Sequence, residues 1–122
     1  MRRVQVAGDT PRDRLLAVFD VAEAWFRQPD FYGCPFINAV GEYSAAASAI
    51  RTVCREFKAL MKAFIRELCV AADANNPDDL ADQLDLLLEG AIVTAQVCDQ
   101  PQAARTAKIV ARQLIELGCP KI

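Results

Sequence analysis

Apolar residues recur every three or four positions along most of the chain, the spacing that places side chains on one side of an α-helix. Thr10-Pro11-Arg12-Asp13 carries a helix start signal: a capping hydroxyl, a proline at the first turn and an acid three residues after the cap. Leu15, Val18, Phe19, Ala22 and Phe26 then form one stripe, and the helix should stop near Gln28, because Pro29 disfavours helical geometry before it. Phe36 to about Tyr43 is expected as a short helix weakened by Gly41. A long helix follows, capped by Ser44 or Ser48, with Ile50, Val53, Cys54, Phe57, Leu60, Met61, Phe64 and Leu68 as its apolar face. Asn76-Pro77-Asp78-Asp79 opens another helix over 78–97. Asp99-Gln100-Pro101 interrupts the pattern, and a last helix over 102–117 ends at Gly118 before Pro120. No strand pattern of any length is present. The expected fold is all-α, a helical bundle of about five helices, with residues 1–9 as a tail or linker and 10–118 as the domain.

The last two helices are apolar on more than one side. Leu80, Leu84, Leu88, Ala91 and Ala95 make one face of the first, and Leu86, Val93 and Val97 make another. In the final helix, Ala103, Ala107, Val110, Leu114 and Leu117 lie on one side, with Ala104, Ala111 and Ile115 beside them. A helix apolar on two faces is buried on two faces. In 122 residues the second face is expected to meet another chain. That reasoning assigns Leu86, Gly90, Val93, Val97, Ala104, Ala107, Ala111 and Ile115 to a homodimer interface.

Composition then narrows the chemistry. The chain has no His, the commonest general acid–base residue, and Ser44 and Ser48 lack an evident activating partner, so no enzyme and no catalytic residue is expected. The five Cys have irregular spacing and no Cys-x-x-Cys pair, which argues for reduced core thiols with neither a disulfide framework nor a metal site. No cofactor is expected. The formal charge of −2 gives no global attraction to nucleic acid or anionic lipid. Arg51, Arg55, Lys58, Lys62 and Arg66 do form a basic row on the long helix, expected to be a solvated face. No apolar run is long enough to span a bilayer, and no signal-type apolar segment follows Arg2-Arg3, so a soluble cytoplasmic protein is expected.

Most of the aromatics fall between Trp25 and Tyr43, around Gly33-Cys34-Pro35, where a helix end and a short weak helix could enclose a cavity against the long helix. Trp25, Phe26, Phe36, Phe57, Met61 and Thr94 are the candidate ligand-binding residues. Glu89-Gly90 sits within an apolar helix, where Glu89 must reach solvent, a partner or a ligand.

The segments Thr10-Pro11-Arg12-Asp13-Arg14-Leu15, Gly33-Cys34-Pro35-Phe36-Ile37-Asn38-Ala39, Leu86-Leu87-Leu88-Glu89-Gly90-Ala91-Ile92 and Pro101-Gln102-Ala103-Ala104-Arg105 occur in an order that resembles the C-terminal domain of TetR-family transcriptional regulators. The resemblance covers about residues 8 to 118. It implies a bundle that binds a small, mainly apolar effector near Trp25, Phe26, Phe36, Phe57 and Met61. It also implies a homodimer in which residues 78–97 and 101–117 form a four-helix interface with their copies. The family's DNA-reading helix-turn-helix precedes this region, and nine residues precede the first helix here, so DNA binding is expected only through an N-terminal domain missing from these 122 residues. The alternative is a stand-alone helical homodimeric interaction protein with no small-molecule ligand.

Overall fold

The computed structural model describes residues 10–31 and 48–120. These form four helices: α1 (Pro11–Phe26), α2 (Ser48–Ala71), α3 (Pro77–Cys98) and α4 (Ala103–Gly118). About five helices were expected; the additional one, over 36–43, lies outside the described residues, as do Phe36 and the Gly33-Cys34-Pro35 turn.

The helix starts follow the local sequence signals. Thr10 Oγ1 accepts from the Asp13 backbone N–H at 3.1 Å, and Pro11 occupies the first turn, where its missing donor costs nothing. Asn76 does the same for α3, accepting from the Asp79 N–H at 3.3 Å, with Asp78 and Asp79 beside the positive helix end. Two helix ends use Asp in the left-handed region: Asp73 at φ 59° after α2, and Asp99 at φ 53° after α3. Behind Asp73, the Ala74 N–H reaches back to the Cys69 carbonyl at 3.0 Å, closing the orphan carbonyls of the last turn of α2.

The four helices share one core. Leu15 and Phe19 of α1, Ile65 and Cys69 of α2, and Leu84 of α3 are its fully buried large side chains. Leu80, Leu84, Leu88, Ala91 and Ala95, the face read from the sequence, are all buried. Among the described side chains of α2, Ile65, Leu68 and Cys69 are buried, with Ala72 just past its end, whereas Val53, Phe57 and Leu60 of the expected stripe are exposed. The apolar stripe of α2 is thus wider than the strip its described neighbours cover. The connection between α2 and α3 is fastened to the end of α4 by the Asn75 N–H, which donates to the Gly118 carbonyl at 2.8 Å.

Cys69 and Cys119 are buried free thiols, and Cys98 is an exposed one. Burial disfavours the thiolate and pushes Cys69 up to about 12, so it behaves as a small apolar core residue. Cys34 and the Cys54 side chain lie outside the described residues. Among the described residues, no helix is long and apolar enough to cross a membrane.

Candidate functional site

Ion pairs build two seams between helices. Lys58, Lys62 and Arg66 of α2, spaced one turn apart, face Asp78, Asp82, Asp85 and Glu89 of α3. Lys58 pairs with Glu89 and lies 4.0 Å from Asp85 Oδ1; Lys62 pairs with Asp82, and Arg66 with Asp78. The basic row expected to be a solvated face is therefore an interhelical ladder across these three residues. Glu89, whose place in an apolar helix needed an explanation, has Lys58 as its partner. Burial raises the Asp85 carboxyl above its ordinary range against the pull of Lys58, and its Oδ1 accepts no hydrogen bond.

The second seam joins α1 to α4. Glu23 accepts from Arg105 at 3.0 Å and from Arg27 at 2.9 Å, and Lys108 donates to both Asp20 oxygens at 2.8 and 3.0 Å. The hydrogen bond from Arg105, the largest cause, holds Glu23 below the usual carboxylate range.

The outer face of α3 and α4 has a different character. An open groove of about 420 Å³ runs between the two helices. Its lining is Gln83, Leu86, Leu87, Gly90, Ala91 and Thr94 on α3, Gln100 and Gln102 in the connection, and Ala103, Thr106, Ala107 and Val110 on α4. None of these residues is charged. Small residues form much of the lining: a Cβ at Gly90 would meet nothing within 4 Å. Large apolar side chains stand out on the same two helices, with Leu86, Val97 and Leu117 exposed to 71%, 74% and 81%.

The sequence-predicted interface residues divide between the two sides. Leu86, Gly90, Val93 and Val97 lie on the outer face of α3. Ala104, Ala111 and Ile115 do not lie on an outer face: they are 0%, 0% and 3% exposed and belong to the chain's own core. Ala107 is buried too, at the bottom edge of the groove. On α4 the alanine stripe with Ile115 faces inward and the Val110–Leu117 side faces outward, the reverse of the expected interface. Alanines present so little bulk that α4 approaches α1 and α3 closely along them, and the larger Val110 and Leu117 turn outward. Val110, Thr106, Leu117 and the three glutamines are the residues sequence reasoning did not assign to this face. For Thr106, Val110 and Leu117, the spacing of one and two turns along α4 is the available signal.

The ligand-binding candidates are also divided. Trp25 and Phe26 pack together, ring centroids 5.7 Å apart, and Phe31 closes the group at 4.9 Å from Trp25 and 5.0 Å from Phe26. Phe26 is buried and Trp25 half-buried. Met61 is half-buried and Phe57 exposed, one turn apart on α2. Thr94 is not in this region; it is exposed in the α3–α4 groove, because it shares the side of α3 that carries Leu86 and Gly90. Phe36 lies outside the described residues.

Comparison with known proteins gives a consistent family. Residues 11–111 match the family described as "Tetracyclin repressor-like, C-terminal domain". The fold superposes with a TM-score of 0.85 on a TetR-family transcriptional regulator from Streptomyces coelicolor, at 19% identity over 96% of this chain and 62% of that one. It superposes with a TM-score of 0.70 on a protein described as a TetR transcriptional regulator from Streptomyces avermitilis, at 30% identity over 87% of this chain and 61% of that one. The chain spans about three fifths of the length of each. A comparison with curated proteins finds none that matches.

Proposed function

As the chain belongs to the tetracyclin repressor-like C-terminal domain family, we propose that it is the effector-sensing and dimerisation domain of a TetR-type transcriptional regulator, without catalytic activity. The observation that carries this reading is the uncharged outer face of α3 and α4. Leu86, Val93, Val97, Val110 and Leu117 together leave more apolar surface in water than scattered exposed residues do. A second copy related by a two-fold axis would cover it with the same two helices, and Gly90 would leave room for close approach.

The sensing half of the reading rests on the Trp25–Phe26–Phe31 group at the end of α1 and on the apolar side of α2 at Phe57 and Met61. A small, mainly apolar effector bound there would favour one arrangement of the helices. It would thereby shift the population of states in which attached DNA-binding heads fit their operator.

Two measurements test the proposal. Light scattering at micromolar concentration is expected to give twice the chain mass, and Val93→Glu is expected to give a monomer, because it would bury an unpaired carboxylate. A monodisperse wild-type monomer refutes the interface. Trp25 is the only Trp, so saturable quenching by hydrophobic ligands reads the effector site. No response across a broad apolar ligand set refutes the sensing half and leaves a purely associative domain.

A further inference from the structure

Gly90 stands exposed within α3, where glycine costs about 1 kcal/mol against alanine. A close neighbour is the usual reason for such a glycine, yet a Cβ there would meet nothing within 4 Å. The chain's own packing therefore supplies no reason for it. The outer face of α3 is laid out evenly about the same residue. At about 100° per residue, Gln83 and Val97 lie about 20° to either side of Gly90, Leu86 and Thr94 about 40°, and Leu87 and Val93 about 60°. Leu86, Val93 and Val97, exposed to 71%, 43% and 74%, flank the glycine at both ends of this face.

Charge selects the occupant. None of these residues is charged, and the acids of the same stretch, Asp82, Asp85 and Glu89, turn to Lys62 and Lys58 of α2. A charge at the centre of a surface that meets its own copy would face an identical charge, so an uncharged face suits a second copy of this chain. The size is also adequate. Helices of 22 and 16 residues, each about 10 Å wide at 1.5 Å rise per residue, offer a footprint on the order of 600 Å², comparable with the roughly 800 Å² per partner of a stable interface.

Resting on the dimer put forward above, we propose that its two-fold axis passes between Gly90 and the partner's Gly90, with the two α3 helices antiparallel across it. A residue beside a two-fold axis meets itself, and glycine lets the two backbones approach most closely there. The axis then fixes the other contacts, since residues equally far before and after Gly90 are paired. Leu86 meets the partner's Thr94, Leu87 the partner's Val93, and Gln83 the partner's Val97.

Disulfide cross-linking of the full chain reads this register. The background is Cys98→Ser, which removes the exposed thiol of α3. Leu86→Cys combined with Thr94→Cys is expected to run as a covalent dimer on a non-reducing gel after mild copper–phenanthroline oxidation. Either substitution alone is expected to run as a single chain, because each thiol is then about 12 Å along the helix from its own copy, beyond the roughly 4.5 Å between the Cβ atoms of a disulfide. Gln83→Cys combined with Val97→Cys, which leaves Leu86 in place, is expected to cross-link in the same way. Light scattering before oxidation separates the two possible failures. A dimeric wild type in which neither double variant cross-links, or in which the single variants cross-link equally well, overturns the axis and leaves the dimer standing. A monomeric wild type overturns both.

Discussion

The two sides of the α3–α4 pair use the same residue types and end in opposite environments. On the inner side, Leu84 and Leu88 of α3 and Ala104, Ala111 and Ile115 of α4 are buried in one closed core. On the outer side, Leu86, Gly90 and Val110 line an open groove, and Val97 and Leu117 stand exposed on the same two helices. The difference lies in size matching across the contact. Inside, buried leucines of α3 share one core with the buried alanines of α4, a combination of sizes that favours close helix packing. Outside, small residues lie between exposed large ones, and that relief remains unfilled within one chain.

Substitutions on each side sharpen this contrast. The largest effect is expected inside: Leu84→Ala should cost roughly 2–5 kcal/mol in denaturant unfolding, because the fully buried site cannot collapse around the loss. Leu86→Ala, at the same spacing on the other side, should change intrinsic chain stability by less than about 0.5 kcal/mol. Similar losses in both, measured at concentrations low enough to dissociate any dimer, would remove the distinction. Next is overpacking. Ala111→Leu should destabilise by roughly 1–3 kcal/mol by forcing α4 off the core, which thermal unfolding would register. Gly90→Ala should act in the opposite direction, stabilising the isolated chain by about 1 kcal/mol, since the added methyl meets no neighbour and the helix gains propensity. Loss of dimer in that variant, seen by sedimentation, would mark Gly90 as a contact point between copies.

The smallest effects distinguish the charged seams through pH. Glu23 sits below its ordinary range, so its stabilisation is present at neutral pH and is lost as pH falls through that lowered value. Asp85 sits above its ordinary range, so the native state takes up its proton before the unfolded state does. Stability from this group therefore rises as pH falls through the raised value toward the ordinary aspartate range. Melting temperatures across mildly acidic pH should show Glu23→Gln losing part of the acid sensitivity. Asp85→Asn should lose the opposing gain and be steeper than wild type. Parallel profiles for all three proteins would mean that neither seam is linked to protonation.

Helix existence, helix ends and the all-α class were legible in the sequence because they depend on local chemistry. Thr10 and Asn76 cap where their positions in the sequence said they would, since a hydroxyl or amide three residues from a free N–H needs no distant partner. The inward face of α3 was legible too, because its leucines outnumber those on the other side. The faces of α4 were not: its alanine stripe and its Val110–Leu117 stripe are equally periodic. Only contact with α1 and α3 decided that close approach favours the smaller one. The same holds for charge. The sequence put Lys58, Lys62 and Arg66 in one row, but whether a row faces water or a facing helix depends on what lies opposite. The antiparallel packing of α3 supplied the carboxylates and buried Asp85 enough to hold it above its ordinary range.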